Sequence, residues 1–150
     1  MIVVAIIGVL ASIAIPKFSD LLRKSGEGQL KGNLGALRSA LSIYYADMEG
    51  QYPYDLWSLT TNGKYVAKMP SIQVPSYHAK TSVIRHNLAP NGFGCGSPYM
   101  LDSGEWAYWS DDGSICGGVI PAGGQRSRTK GELWVLCSHT DTKGSTWTEY

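Results

Sequence analysis

The sequence predicts an α+β fold, in which a long, bent N-terminal α-helix packs on a small antiparallel β-sheet head. Three observations support this prediction: a charge-free apolar run at the start, a one-sided apolar stripe at helical spacing after it, and short strand-like runs separated by turns in the rest of the chain. A striped helix and a sheet with one face to cover can bury each other, which is the arrangement of an α+β domain. We expect two parts, residues 1–52 and residues 53–150.

The composition limits the possible functions. Of the 150 residues, 43% are apolar and 17% are charged, and the net charge is +1. This excludes an acidic disordered tail, and a dedicated nucleic-acid binder should carry a clear basic excess, so no nucleic-acid partner is indicated. Three cysteines are too few for a disulfide scaffold and allow one bridge and one remaining thiol.

The run from Met1 to Ile15 has no charge, and Ser12 is its only polar side chain. It is shorter than the roughly 20 residues that a bilayer core needs, so it is a partial membrane span, a buried core helix or a signal-peptide hydrophobic region. The signal-peptide interpretation is weak because no basic segment precedes the run. A short chain cannot easily surround a helix that is apolar on every face. We therefore expect burial by lipid, by copies of the same segment, or by both in turn.

The second segment, from Lys17 to Glu49, carries apolar residues at spacings of 4 and 3, which predicts one buried helix face. The predicted head-packing stripe consists of Leu30, Leu34, Leu37, Leu41 and Tyr44. Gly50 and Pro53 should end this helix. Upstream, Gly8 and Pro16 weaken helix formation, and we expect a helix break in the interval between them.

The remaining elements should be short. Residues 55–65 suggest a helical turn with an Asn-Gly turn, and residues 69–91, with three prolines, suggest a loop. A hairpin is predicted from residues 99–101 and 105–110, which Asp-Ser-Gly separates. Residues 132–138 are the clearest single strand, and residues 122–130 suggest an exposed loop. The striped helix should meet Leu133 and Val135 of that strand.

No motif indicates catalysis, so we expect a non-enzyme without a cofactor. The chain has no P-loop, Gly-x-Ser-x-Gly, Cys-x-x-Cys or His-Glu-x-x-His motif. His78, His86 and His139 have no metal-like spacing, which favours surface or loop histidines over ligands. Oxygen atoms that could bind calcium occur near the C-terminus. One carboxylate and a few hydroxyls provide too few ligands for an ion that takes six to eight oxygens. A structural turn is the better interpretation of these residues, which are Asp141, Thr142, Ser145 and Thr146.

The run MIVVAIIGVLASIAIPKF resembles the N-terminal region of type IV pilins and type II secretion pseudopilins. The likeness continues through the helix to Gln51-Tyr52-Pro53, and GELWVLCSHTDTKGSTWTEY is similar to bacterial pilin-like heads. The resemblance implies a subunit that is inserted in the inner membrane before assembly, with its head in the periplasm. Assembly machinery then extracts it into a helical filament of identical subunits on the cell surface. The implied filament-core residues are Ile2, Val3, Val4, Ile6, Ile7, Val9, Leu10, Ile13 and Ile15.

Three functions stay open at this point. The first is a major pilin for adhesion, motility or DNA uptake, the second is a secretion pseudopilin, and the third is a membrane-tethered periplasmic enzyme or binding protein. In the family, a methylated phenylalanine and five further residues, including a glutamate, precede the position matched by Met1. We therefore expect this chain to begin inside the true one. The resemblance also implies that the interval from Gly8 to Pro16 stretches in assembled filaments.

The second difference from the family pattern is an apparent insertion, and it bears on the cysteines. Cys137 resembles the lone cysteine of many pilin heads and needs no partner. Cys95 and Cys116 are glycine-flanked in loop-like sequence, and Cys116 belongs to an apparent insertion at residues 111–130. We predict a Cys95–Cys116 disulfide, with Cys116–Cys137 as the alternative.

Overall fold

The computed structural model describes residues 1–86, 102–110 and 129–150. Helix α1, Ile2–Asp47, contains 46 residues and is about 69 Å long at 1.5 Å per residue. It runs without interruption through Gly8 and Pro16. Pro16 has no N–H group, so the carbonyl of Ser12 loses its helical partner although the helix continues. The expected break is therefore not present in the single chain, and it stays a prediction for the assembled filament.

Helix α1 ends close to the predicted position. Glu49 and Gly50 have positive φ angles of 52° and 86°, and the N–H of Gly50 donates to the carbonyl of Tyr45 at 2.9 Å. These left-handed residues turn the chain back toward the head. A 3₁₀ helix, Leu56–Gly63, follows where a helical turn was predicted, and the carboxylate of Asp55 accepts the N–H of Trp57 at its start.

The sheet has three short strands, β1 (Ile84–His86), β2 (Trp106–Tyr108) and β3 (Leu133–Val135), in the order β1-β2-β3. Strand β2 pairs antiparallel with β3, in the register Ala107 to Trp134. It pairs in parallel with β1, in the register Arg85 to Ala107. The sheet is thus mixed, and the prediction of a purely antiparallel sheet is wrong for β1.

Strand β1 lies in the segment that the sequence predicts to be a loop. Its three residues are too few to show an alternating pattern, and prolines stand on both sides of it. Residues 87–105 separate β1 from β2, and this connection is long enough for the crossover that parallel strands need. Strands β2 and β3 lie inside the predicted runs 105–110 and 132–138.

Several predictions concern residues outside the described ones. They are the first hairpin strand at residues 99–101, the insertion up to residue 128, and the Cys95–Cys116 disulfide. Cys137, the described cysteine, is buried and not in a disulfide.

The main core lies between α1 and one face of the sheet. The predicted stripe enters it, because Leu30, Leu34, Leu37 and Leu41 are at most 3% exposed and Tyr44 packs against them. The sheet contributes buried residues at alternating positions, namely Trp106, Tyr108, Leu133 and Val135, and Cys137 continues this alternation just after β3. A second buried cluster on the opposite face contains Ala107, Trp134 and Leu136. Strand β3 is apolar throughout because both of its faces are buried.

The aromatic residues of the core place their polar tips on backbone carbonyls. Trp106 donates its indole N–H to Pro70 at 3.0 Å, and the Tyr108 hydroxyl donates to Pro53 at 2.8 Å. Burial raises the pKa of Tyr108 above its usual value, so this hydroxyl stays a donor. These two bonds attach the segments that precede the sheet to β2.

Candidate functional site

The first functional feature is the exposed part of α1, residues 1–22, which we call the arm. Every large apolar side chain in it is between 55% and 108% exposed. Isolated soluble proteins rarely show a contiguous apolar surface of this extent, and such surfaces mark membrane or protein contacts. The arm contains all the predicted filament-core residues, which are Ile2, Val3, Val4, Ile6, Ile7, Val9, Leu10, Ile13 and Ile15.

The apolar surface of the arm is longer than the sequence analysis predicted. Phe18, Leu21 and Leu22 are also about 60% exposed and continue it beyond Pro16. Their spacing of 3 and 4 is the local signal that could have revealed them. Charged Lys17 and Asp20 stand on either side of Phe18 in the sequence and obscured the pattern. By length and composition α1 could cross a membrane, and none of its most apolar stretch is buried.

The second feature is the junction between α1 and the C-terminal loop, formed by Glu27, Lys31 and Arg38 with Asp141, Thr142 and Tyr150. Lys31 Nζ donates to Asp141 Oδ2 at 2.6 Å and to the Tyr150 hydroxyl at 2.8 Å. The Tyr150 hydroxyl in turn donates to Asp141 Oδ2 at 2.7 Å. The three polar groups therefore satisfy one another at the base of the head.

Two further contacts extend this junction along the helix. The carboxylate of Glu27, which is 6% exposed, accepts the Thr142 N–H at 3.0 Å and the Thr142 hydroxyl at 2.6 Å. About two turns beyond Lys31, the Arg38 guanidinium donates to the Leu133 carbonyl at 2.8 Å and to the Tyr150 carbonyl. Charged groups of one helix thus hold both β3 and the C-terminal loop.

Asp141 is the buried centre of the junction, and its side chain has no exposure. Burial favours the neutral acid, but hydrogen bonds from Lys31, Tyr150 and the N–H groups of Lys143 and Ser145 hold the pKa well below its usual value. The loop closes on itself through a bond from the Asp141 N–H to the Ser145 carbonyl at 2.9 Å. The carboxylate oxygens of Asp141 therefore take part in a structural turn. A structural turn is also the interpretation that the sequence favours for these residues.

A third feature is a cluster of four potential ligands, His78, Asp102, Cys137 and His139. One ligand atom from each lies within 4.8 Å of the others. His78 Nε2 is 3.1 Å from Asp102 Oδ1, and His139 Nδ1 is 3.4 Å from both Asp102 Oδ2 and Cys137 Sγ. His86 lies outside this cluster, and its Nε2 is 3.1 Å from Asp55 Oδ1. Sequence reasoning missed this cluster, which we call the His–Cys–Asp cluster.

The His–Cys–Asp cluster joins loops that are distant in sequence. His78 follows the turn after Val74, Asp102 precedes β2, and the other two residues follow β3. Burial raises the pKa of the Cys137 thiol to about 12. Burial acts against ionisation of Asp102 as well, but two hydrogen bonds from Ser138 and electrostatic attraction to His139 and His78 lower its pKa. Cys-x-His at positions 137–139 is the one local sign of the cluster in the sequence.

The comparison with curated proteins found a fimbrial relative. Fimbrial protein EcpC of Eikenella corrodens is 41% identical over 70 residues, which cover 44% of this chain and 45% of that protein. The match therefore spans less than half the length of this relative. No protein-family model matches the chain, and no solved structure matches it.

Together with the apolar N-terminal helix, this relative fits a pilin-like protein. A long helix with a small sheet is the matching α+β fold. The relative also supports a structural rather than a catalytic role.

Proposed function

We propose that this chain is a structural subunit that polymerises through its arm into a type IV pilus filament. In this proposal residues 1–52 form the assembly helix and residues 53–150 form the head. The subunit lies in the inner membrane with a periplasmic head before assembly machinery moves it into the filament. Filaments of identical subunits on the cell surface then serve adhesion, motility or DNA uptake.

The observation that carries the proposal is the contrast between the two parts of α1. From Arg23 onward the helix is packed on the head, whereas residues 1–22 expose their apolar side chains. Lipid or the arms of neighbouring subunits can cover this surface, and both leave the helical hydrogen bonds intact. Each buried Val or Ile would contribute about 1.5–3 kcal/mol relative to exposure in water.

A pseudopilin of a type II secretion system is the second candidate, because the same arm would serve a short filament. In the family that the sequence resembles, some pseudopilin heads bind calcium in a comparable loop. Asp141, the carboxylate in the relevant loop, is instead neutralised by the Lys31 ammonium. This contact favours the pilus subunit. A membrane-tethered periplasmic binding protein is the third and least supported candidate.

Electron microscopy of material sheared from cells, with antibodies against the head, tests the proposal. We expect long filaments labelled along their length. Val9→Asp, in the arm, should abolish them because a charge is costly in lipid and in an apolar filament core. Val83→Asp is the matched control, since Val83 is an exposed valine of the head at 44% exposure.

The other candidates give different results. Short filaments seen only when the chain is overproduced would indicate the pseudopilin. A chain that stays monomeric in the membrane fraction, with no labelled filament, would indicate the tethered protein. Equal loss of filaments in both valine variants would show that the arm has no special role. Mass spectrometry of sheared filaments would also detect N-terminal methylation and the Cys95–Cys116 disulfide, which belong to the same proposal.

A further inference from the structure

We propose that His78, Asp102, Cys137 and His139 form a binding site for one divalent zinc ion in the head. The four side chains supply two imidazole nitrogens, one sulfur and one carboxylate oxygen, all of which are ordinary zinc ligands. This site does not depend on filament formation, and it can exist in any of the three functional classes considered above.

The spacing of the ligand atoms fits a four-coordinate ion. Zinc bonds of about 2.0–2.3 Å in a tetrahedron place neighbouring ligand atoms roughly 3.3–3.8 Å apart. His78 Nε2 lies 3.1 Å from Asp102 Oδ1, and His139 Nδ1 lies 3.4 Å from Asp102 Oδ2 and from Cys137 Sγ. One ligand atom from each of the four residues lies within 4.8 Å of the others. Small side-chain movements are enough to centre an ion among them.

Hydrogen bonding alone accounts poorly for one of these contacts. His139 Nδ1 faces both Cys137 Sγ and Asp102 Oδ2 at 3.4 Å, yet a neutral ring nitrogen either carries a hydrogen or accepts one. It can therefore satisfy one of the two neighbours and not both, and 3.4 Å is long for a hydrogen bond to the Asp102 oxygen. An ion at the centre would use the lone pairs of all three groups together.

The charge of the site also suits a dication. When zinc binds, the Cys137 thiol loses its proton to solvent and the sulfur forms a bond to the metal. One thiolate, one carboxylate and two neutral imidazoles then balance the two positive charges. A neutral centre is tolerated in the partly buried position of the cluster, where an unbalanced charge would be costly.

Surrounding residues orient the ligands. The Ser138 N–H donates to Asp102 Oδ1 at 3.1 Å, and the Ser138 hydroxyl donates to Asp102 Oδ2 at 3.0 Å. The ring of Tyr77 stacks on His139 with a centroid separation of 3.9 Å. Such outer contacts fix ligand geometry in metal sites.

Gly104 allows His78 to approach the other ligands. A Cβ on Gly104 would lie 2.5 Å from His78 Cβ and Cγ, so a side chain there would displace the histidine. The φ angle of Gly104 is also positive, at 68°, which favours glycine at this position.

An ion could reach the site from solvent. The side chains of Asp102 and His139 are 31% and 36% exposed, whereas Cys137 lies at the buried end of the cluster. The ion would join the loop at residue 78, the segment before β2 and the segment after β3. Because zinc binds the folded arrangement, it should stabilise the head by mass action.

A cobalt titration of the full-length chain tests the site. The chain, in detergent micelles and without a histidine tag, is reduced, freed of metals and titrated with Co²⁺. We expect one Co²⁺ per chain, a thiolate-to-cobalt charge-transfer band and the intense visible bands of a four-coordinate ion. Zn²⁺ should displace Co²⁺ and raise the melting temperature of the head. Ser138→Ala should weaken Zn²⁺ binding by about 10–100-fold.

His78→Gln should weaken binding more than Ser138→Ala does, and Cys137→Ser should remove the charge-transfer band. His86→Gln is the matched control, because His86 also contacts an aspartate at 3.1 Å but lies outside the cluster. If Cys137→Ser does not fold, the comparison of the two histidine variants decides. A folded wild-type chain without the charge-transfer band, or equal affinities of the two histidine variants, would overturn the proposal.

Discussion

Lys31 Nζ lies 2.6 Å from Asp141 Oδ2 and joins the middle of α1 to a loop 110 residues later in the chain. The Asp141 carboxylate is fully buried, whereas the Lys31 side chain keeps 31% of its exposure. Removing one partner of such a pair leaves a buried charge without compensation, which costs more than the pair contributes when intact. The junction should therefore be sensitive to single substitutions.

Asp141→Asn should lower the free energy of unfolding by about 1.5–3 kcal/mol, because Lys31, Tyr150 and the N–H groups of Lys143 and Ser145 lose their charged acceptor. Urea unfolding of the head, followed by tryptophan fluorescence in detergent micelles, measures this change. Lys64→Met is the control, since Lys64 forms an exposed ion pair with Asp47 and surface pairs contribute little. Equal effects of the two substitutions would contradict the assigned role of the junction.

The stability of the head should also depend on pH through Asp141. The pKa of this carboxyl is lower in the folded chain than in the unfolded chain, so the unfolded chain binds more protons in acid. The contribution is fully present above the unfolded pKa of about 3.9 and is lost as pH falls towards the folded pKa. In urea unfolding between pH 7 and pH 2, the difference between wild type and Asp141→Asn should shrink below about pH 4. A constant difference would rule out this linkage.

Leu37→Ala should cost about 2–5 kcal/mol, because Leu37 is fully buried between α1 and the sheet. Ile7→Ala provides the comparison, as Ile7 is 60% exposed in the arm and does not belong to the core of the described part of the head. Its unfolding midpoint should equal that of the wild type. An unchanged midpoint for Leu37→Ala would mean that the stripe packs against a neighbouring subunit instead.

The interval from Gly8 to Pro16 should lose helical backbone in the assembled filament. The single chain is helical there, but Pro16 has no N–H to donate to the Ser12 carbonyl, and the Ser12 hydroxyl donates to the Val9 carbonyl at 2.7 Å. These features make the interval the weakest part of α1. A filament structure at near-atomic resolution checks this, and a straight, unbroken helix through the interval would be the opposite result. Pro16→Ala filaments should keep more helix than wild-type filaments.

The helix and one strand could be predicted because their signals are local. Spacings of 3 and 4 between Leu30, Leu34 and Leu37 identify a helix face, and the run around Leu133 is apolar enough to indicate a strand. Strand β1 could not be predicted in the same way. Ile84 is its one buried residue and Arg85 is exposed, so the strand has no apolar run of its own. Its pairing with β2 depends on contacts between residues that are far apart in sequence.

The His–Cys–Asp cluster escaped prediction for a related reason. His78 and Asp102 are 24 residues apart, and Cys137 comes another 35 residues later. Motif spacing detects ligands that recur at fixed, short separations in the sequence. In this protein the ligands lie in segments that are far apart in sequence. Their proximity can therefore be seen only once the fold is known.

The spacing of the junction residues along α1 has a mechanical consequence. Glu27, Lys31 and Arg38 lie on one side of the helix, and all three bind segments at the C-terminal end of the chain or β3. A pull along the helix axis would shear these contacts at the same time, whereas a sideways pull would open them one after another. A subunit of this design resists tension along its length better than tension across it, and the direction of load decides how strong it is.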